Sequence, residues 1–303
     1  SGVHFRVDPM ELRMRSHYEE RYGKNFIPKD MTIQDFGVSY EELEPFFDYA
    51  EKVFGTSGQA WTVNGQLVGE GKGANPYAPD RSDHFPLESQ KNTYSAQLFQ
   101  KAANDVGYKP YNLPSANTSG PYTNPYGAQM GPCNFCGFCS GYVCYMYSKA
   151  SPNVNILPAL KPLPNFELRP NAHVIRVNLD STKSKATGVT YIDALGREIE
   201  QPADLVILGA FQFHNVRLML LSGIGKPYDP KTGEGVVGKN FAYQNMGTIK
   251  AYFDKDVHTN NFIGAGGNGV AIDDFNADNF DHGPHGFVGG SPMWVNQAGS
   301  RPI

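Results

Sequence analysis

The sequence predicts a folded, loop-rich chain of mixed class, α/β or α+β, and three observations lead there. Its 33 glycines and 22 prolines make up about 18% of 303 residues, against roughly 12% in average proteins. Aromatic residues reach 13%, far too many for a disordered chain. Runs with helical spacing alternate with β-branched runs of strand length. At about 150 residues per domain the length suggests roughly two domains and excludes a peptide hormone or a disulfide miniprotein. Lys plus Arg is 26 and Asp plus Glu is 30, a formal charge of −4 with no basic run, so nucleic acid is excluded as a partner.

The first helix is expected from Pro45 to Phe54, because proline suits a first helical position. Phe46, Phe47, Ala50, Val53 and Phe54 would form its buried face, with Gly55 as left-handed cap. Residues 59–91 lack any sustained period and read as irregular surface structure. A second helix is expected from Thr93 to Val106, with Ala96, Leu98, Ala102 and Val106 inward and Gly107 closing it. A strand is expected within Phe166 to Leu179. Val189 to Asp193 and Glu198 to Glu200 flank a turn and read as a hairpin. Leu205-Val206-Ile207-Leu208 is a continuous apolar run ending in Gly209-Ala210, as in a strand buried on both faces. A helix follows from about Phe213 to Leu221, and short strands are expected at Thr248 to Phe253 and Gly286 to Val288.

All four cysteines fall in one segment, Cys133, Cys136, Cys139 and Cys144, with spacing C-x2-C-x2-C-x4-C. Such spacing lets several thiolates converge on one small inorganic centre while backbone amides point inward. Bacterial ferredoxins use C-x2-C-x2-C-x3-C, close but not identical. Disulfides between neighbours three residues apart are geometrically awkward. A structural zinc usually pairs two separated C-x2-C knuckles, and no second knuckle or nearby His is present. Iron–sulfur leads on this spacing, with zinc, disulfide and free thiol as alternatives.

Other motifs are weaker. Gly264-Ala265-Gly266-Gly267-Asn268-Gly269 fits G-x-G-x-x-G, but Asn260-Asn261-Phe262-Ile263 is a poor strand and Val270 to Phe275 a weak helix start, so a flexible turn is the better reading. Asp274 to Asp278 resembles the opening of a calcium loop, yet Asn279 replaces the required Gly and His285 the bidentate Glu; a solvated acidic turn is expected. His282 and His285 suggest a turn, His173 a packed strand histidine, and His214 has no sequence partner, so no catalytic base is assigned.

Several stretches taken together resemble the glucose–methanol–choline (GMC) flavoprotein oxidoreductases, in particular the branch of bacterial gluconate, sorbitol and FAD-glucose dehydrogenase large subunits. They are Ser39 to Asp48, the four-Cys segment running into Lys149-Ala150-Ser151-Pro152, Pro164 to Leu168, Ala172 to Val177, Leu218 to Gly225 and Gly235 to Asn240. The resemblance covers nearly the whole chain in the family's order. Where many members carry Ser/Thr-Pro, this chain has Asn215-Val216, a departure its branch shares.

The resemblance implies part of an FAD-binding Rossmann-like domain interleaved with an antiparallel-sheet substrate domain. It divides the chain into 1–130 (substrate or cap domain, first portion), 131–150 (cysteine segment), 151–243 (FAD-domain portion) and 244–303 (substrate domain, second portion). Val174 is where a strand edge would meet the adenine of FAD through its backbone, and Gly209-Ala210 resembles the small-residue turn packed near that cofactor. The four cysteines resemble the ligands of a [3Fe-4S] centre, for which three thiolates suffice, leaving one bystander.

The implied reaction removes a proton and a hydride from the CH–OH of a sugar, aldonic acid or polyol, and the electrons leave through the iron–sulfur centre to a cytochrome c subunit at the periplasmic face of the inner membrane. A small partner subunit would carry the export signal. Ser1-Gly2-Val3-His4 has neither the basic nor the apolar block of a signal peptide, and no apolar stretch approaches the roughly 18 residues of a membrane span. Membrane attachment is therefore expected only through partners. The FAD-pyrophosphate fingerprint is expected upstream of Ser1 and the proton-abstracting His-Asn pair downstream of Ile303, so the chain reads as the middle of a longer enzyme.

Overall fold

Capping chemistry fixes where the first helices begin. The structure, a computed structural model, describes residues 4–139, 141–243, 246–259, 263–264 and 267–296. The Asp8 side chain accepts the Met10 amide while Glu11 reaches back to the Asp8 amide, starting a 3-10 turn over Pro9–Arg13 that continues into α1, Met14–Tyr22. Ser39 and Glu42 form the same reciprocal box ahead of α2, Tyr40–Phe54. This helix starts five residues before the expected Pro45, which lies inside it. Proline there lacks the N–H that the Glu41 carbonyl would accept, and the box at Ser39 is strong enough to nucleate the first turn regardless. Gly55 ends the helix at φ 63°, as expected, and a Cβ there would come within 2.7 Å of the Tyr122 ring.

The buried face of α2 departs from the apolar pattern. Phe46 is 72% exposed, whereas Tyr40, Glu44, Glu51 and Val53 are buried. The cause lies far away in sequence. Arg6 donates to Glu51 from Nε at 2.9 Å and to Glu44 from Nη1 at 2.9 Å, Arg81 pairs with Glu51, and His4 Nε2 lies 3.0 Å from Glu51 Oε1. Burial works against the Glu51 charge, but the hydrogen bonds from His4, Arg6 and Arg81 hold its carboxyl well below the usual range.

A two-residue hairpin, β1 (Thr62–Val63) with β2 (Gln66–Leu67), precedes α3, Tyr94–Asp105, which matches the expected second helix. Its inward residues are Ala96 and Ala103, seven apart; Ala102 is exposed and Val106 is 66% exposed, because the face is set by Ala96. Then come β3 (Tyr111–Asn112), the antiparallel pair β4 (Tyr122–Thr123) and β5 (Gln129–Met130), and, after the cysteines, the single turns α4 (Pro152–Asn155) and α5 (Leu157–Leu160). A meander follows of β6 (His173–Leu179), β7 (Ala186–Ile192) and β8 (Glu198–Pro202). The expected hairpin is its second half, closed by the Asp193 side chain accepting the Leu195 and Arg197 amides, each at 2.9 Å. The next helix, α6 (Gln212–Ser222), also agrees with expectation and ends on Gly223 at φ 68°. Last are β9 (Gly269–Ile272) and β10 (Met293–Asn296), which form the sheet β10-β9-β3.

Three strand expectations fail. Leu205–Leu208 lies outside any strand, with Leu205 76% and Ile207 82% exposed, because burying such a run needs neighbours on both sides and no strand among the described residues pairs with it. Thr248–Phe253 is likewise without a ladder, Ile249 being 89% exposed. Gly286–Val288 follows a 3-10 turn, Gly283–His285, that closes on Gly286 at φ 70°. Conversely Val270, read as a weak helix start, lies in the central strand β9, where ladders on both sides bury Val270, Ala271 and Ile272.

The chain is thus mixed helix and sheet, and every ladder among the described residues is antiparallel. It divides into two compact units, Ser1–Phe166 with Tyr252–Ile303, and Glu167–Ala251. In the first, Met10, Tyr18, Ile27 and Ala277 form one core and Tyr111, Leu113 and Ala271 another. In the second, α6 packs on β6 and buries Leu218 and Val177.

Candidate functional site

The cysteine loop is clamped at its base. The Cys133 amide donates to Thr118 O at 2.8 Å, Thr118 Oγ1 donates to Gly131 O at 2.6 Å, and the Thr118 amide donates to Ser148 O at 3.1 Å. The Ala150 amide donates to Ala116 O at 2.8 Å, so both arms are tied to one short segment, 116–118. The arms approach so closely that a Cβ on Gly131 would lie 2.5 Å from Met146 O. Thr118 and Ser148 are fully buried, which makes these polar contacts costly to break. Sequence periodicity gave no sign of Thr118.

Within the loop no disulfide joins the cysteines; Cys139 is buried and the other three are half-buried. Burial pushes the Cys133 thiol up, the Phe135 amide pulls it down, and Cys139, Cys144 and Cys136 add to the upward push, so all three lie within electrostatic reach of Cys133. No three His, Cys, Asp or Glu side chains among the described residues converge tightly enough to hold one metal ion. The donor chemistry of the loop is all sulfur, which suits an iron–sulfur centre or zinc. Lys149 Nζ donates to Cys139 O at 2.7 Å and to Tyr142 O at 3.1 Å, a cation that cysteine spacing alone does not reveal.

Val174, Gly209 and Ala210 all lie in the second unit. Val174 is half-buried on β6, paired with Tyr191 beside a register shift, and β6 is the edge of its three-stranded sheet. An edge strand offers backbone groups on one side, as the adenine contact would require. Gly209 and Ala210 are exposed just before α6, and a Cβ on Gly209 would meet nothing within 4 Å. The turn is shaped by Asn215, which accepts the Ala210 amide at 2.9 Å and donates to Leu208 O at 3.1 Å. Asn215 thus bridges both sides of the turn with one side-chain amide. An open small-residue turn at a helix start and a strand edge, occupied at Val177 by Ser222 Oγ at 2.8 Å, fit a large cofactor held by backbone.

The weaker motifs resolve differently. In Gly264 to Gly269, Ala265 and Gly266 lie outside the described residues, while the Gly264 amide donates to Phe135 O at 3.3 Å and Gly269 begins β9. The acidic stretch is not solvated as expected: Asp278 pairs with His17 and Arg21, and Asp274 Oδ1 accepts from the Tyr77 hydroxyl at 3.2 Å. The partners of Asp278 come from α1, far away in sequence. His282 is fully buried with Nε2 2.6 Å from Ala277 O, His173 is exposed at the start of β6, and His214 is exposed on α6.

A family model described as GMC oxidoreductase matches residues 34–246, from before α2 to beyond α6 and including the cysteine loop, Val174, Gly209 and Ala210. The chain belongs to the GMC oxidoreductase family. Across all 303 residues it is 76% identical to the gluconate 2-dehydrogenase flavoprotein of Pantoea cypripedii, of which it covers 49%. It is 28% identical over 207 residues to the 2-methyl-1,2-propanediol dehydrogenase of Mycolicibacterium austroafricanum, covering 68% of this chain and 34% of that one. With the fructose dehydrogenase large subunit of Gluconobacter japonicus it shares 24% identity over 223 residues, 71% of this chain and 37% of that one. This GMC chain therefore spans about half the length of the first relative and about a third of the other two.

Proposed function

We propose that this chain is the central part of an FAD-dependent dehydrogenase acting on CH–OH groups of sugars, aldonic acids or polyols, with gluconate the first substrate to test. The observation that carries the proposal is the 76% identity over all 303 residues to a protein named gluconate 2-dehydrogenase flavoprotein. FAD, when bound, supplies hydride acceptance from the alcohol carbon. The edge of β6 at Val174 and the Asn215-shaped turn at Gly209-Ala210 would hold it through backbone groups, and the clamp at Thr118 keeps the sulfur loop in one conformation.

The four thiols of Cys133, Cys136, Cys139 and Cys144 would hold an iron–sulfur centre, three as ligands of a [3Fe-4S] cluster and one as bystander. Such a centre supplies a one-electron exit, which favours a dehydrogenase over an oxidase. The C-x2-C-x2-C-x4-C spacing, with no second C-x2-C knuckle and no nearby His, supports an iron–sulfur centre better than a structural zinc. The reading extends to a cytochrome c partner and a small export subunit at the periplasmic face of the inner membrane, supported by the family resemblance and by the "large subunit" in a relative's name. No described helix is long and apolar enough to cross a membrane.

Anaerobic mixing of the complete purified protein with gluconate, glucose or sorbitol tests the reaction. Bleaching of the flavin absorbance by at least one of them is expected; a protein that binds no flavin, or whose flavin none of them reduces, overturns it. Single Cys→Ser variants test the ligand set, with three expected to lose iron and one to keep it. A colourless protein with stoichiometric zinc would instead make the loop a structural staple of a binding module.

A further inference from the structure

Lys149 is the sole charged side chain between Gly131 and Ala150, a stretch with no Asp, Glu or Arg. Its backbone bridges antiparallel to Asn117, which places it at the clamped base of the loop. From there the half-buried side chain reaches back into the loop, where Nζ donates to Cys139 O at 2.7 Å and Tyr142 O at 3.1 Å. No carboxylate among the described residues lies within 4.0 Å of it. Ammonium groups seldom lose water without a counter-charge, and carbonyl dipoles alone are a weak substitute. What the loop offers instead is four thiols, which become anionic when they bind metal.

We propose that Lys149 is a positioning residue of the sulfur centre, pinning the backbone at Cys139 and at Tyr142 through their carbonyls and supplying the positive charge that offsets metal-bound thiolates. The proposal rests on the reading that the four cysteines hold a redox centre. Both roles follow from one geometry. The two hydrogen bonds fix the backbone that carries the buried Cys139, and they hold the charge on the carbonyl of a cysteine, inside the segment whose thiols would turn anionic on binding metal. A nearby cation stabilises the more negative, reduced form of such a centre, so removing it makes the centre harder to reduce.

The test uses the complete holoprotein as wild type, Lys149→Met and Lys149→Arg. Lys149→Met is expected to shift the one-electron equilibrium toward the oxidised form by about threefold to tenfold, up to about 59 mV lower in midpoint potential. It is also expected to speed hydrogen exchange at Gly141, Tyr142 and Val143. Lys149→Arg, which keeps the charge and donors, should restore both. If Lys149→Met loses iron altogether, retention by Lys149→Arg supports the proposal. Wild-type behaviour of Lys149→Met, or identical behaviour of the two variants, overturns it. Wild-type protein lacking iron and acid-labile sulfide would instead sink the redox reading, and exchange at Gly141 to Val143 would still decide whether Lys149 pins the turn.

Discussion

At the scale of single residues, buried charge organises the chain as much as apolar burial does. Glu51 is fully enclosed and shared by Arg6 and Arg81, with Arg81 also 3.8 Å over the Phe85 ring. Removing one partner of such a pair leaves an uncompensated charge, so Glu51→Gln is expected to destabilise by about 3–5 kcal/mol, read by denaturant unfolding. Because the folded Glu51 carboxyl is held low, its contribution is present above the unfolded carboxylate range and lost as pH falls through the folded value. Asp273 has the opposite sign. Burial pushes it up against the pull of Asn75 at 2.6 Å, with Asp8 and Asp274 adding to the rise. Its contribution is full below the unfolded value and lost as pH climbs through the folded one. Asp273→Asn should therefore gain on wild type as pH rises from the unfolded carboxylate range through the folded value. A pH-independent difference in melting temperature would refute this. Neither residue was legible in the sequence, since the partners of Glu51 lie 45 and 30 positions away and periodicity reports spacing along one helix only.

At the scale of elements, local signals carried as far as the interaction range they encode. The β7–β8 hairpin, α3, α6 and the Gly55 cap agree with expectation because turn and cap chemistry acts over a few residues. The start of α2 lies ahead of Pro45 because the Ser39–Glu42 box, three residues from end to end, nucleates the helix five residues before the proline. Ser39→Ala should cost about 1 kcal/mol and fray that first turn, measured by thermal melting and hydrogen exchange at Glu42. Leu205–Leu208 failed for a different reason: an apolar run names the need for neighbouring strands without supplying them. Thr118, the clamp of the cysteine loop, escaped because a buried threonine has no periodic signature.

At the scale of the whole molecule, the family was legible because its motifs lie in order along the chain, and the match over residues 34–246 bears that out. The substrate was not legible, since pocket residues lie on irregular segments whose conformation depends on distant contacts. The redox assignment turns on what the four thiols hold. Iron and acid-labile sulfide assayed in the anaerobically purified complete protein decide it most directly. About three irons with comparable sulfide per chain, lost on three of the four single Cys→Ser substitutions, is the predicted result; stoichiometric zinc without sulfide, or four thiols that all react as free cysteine in native protein, would contradict it.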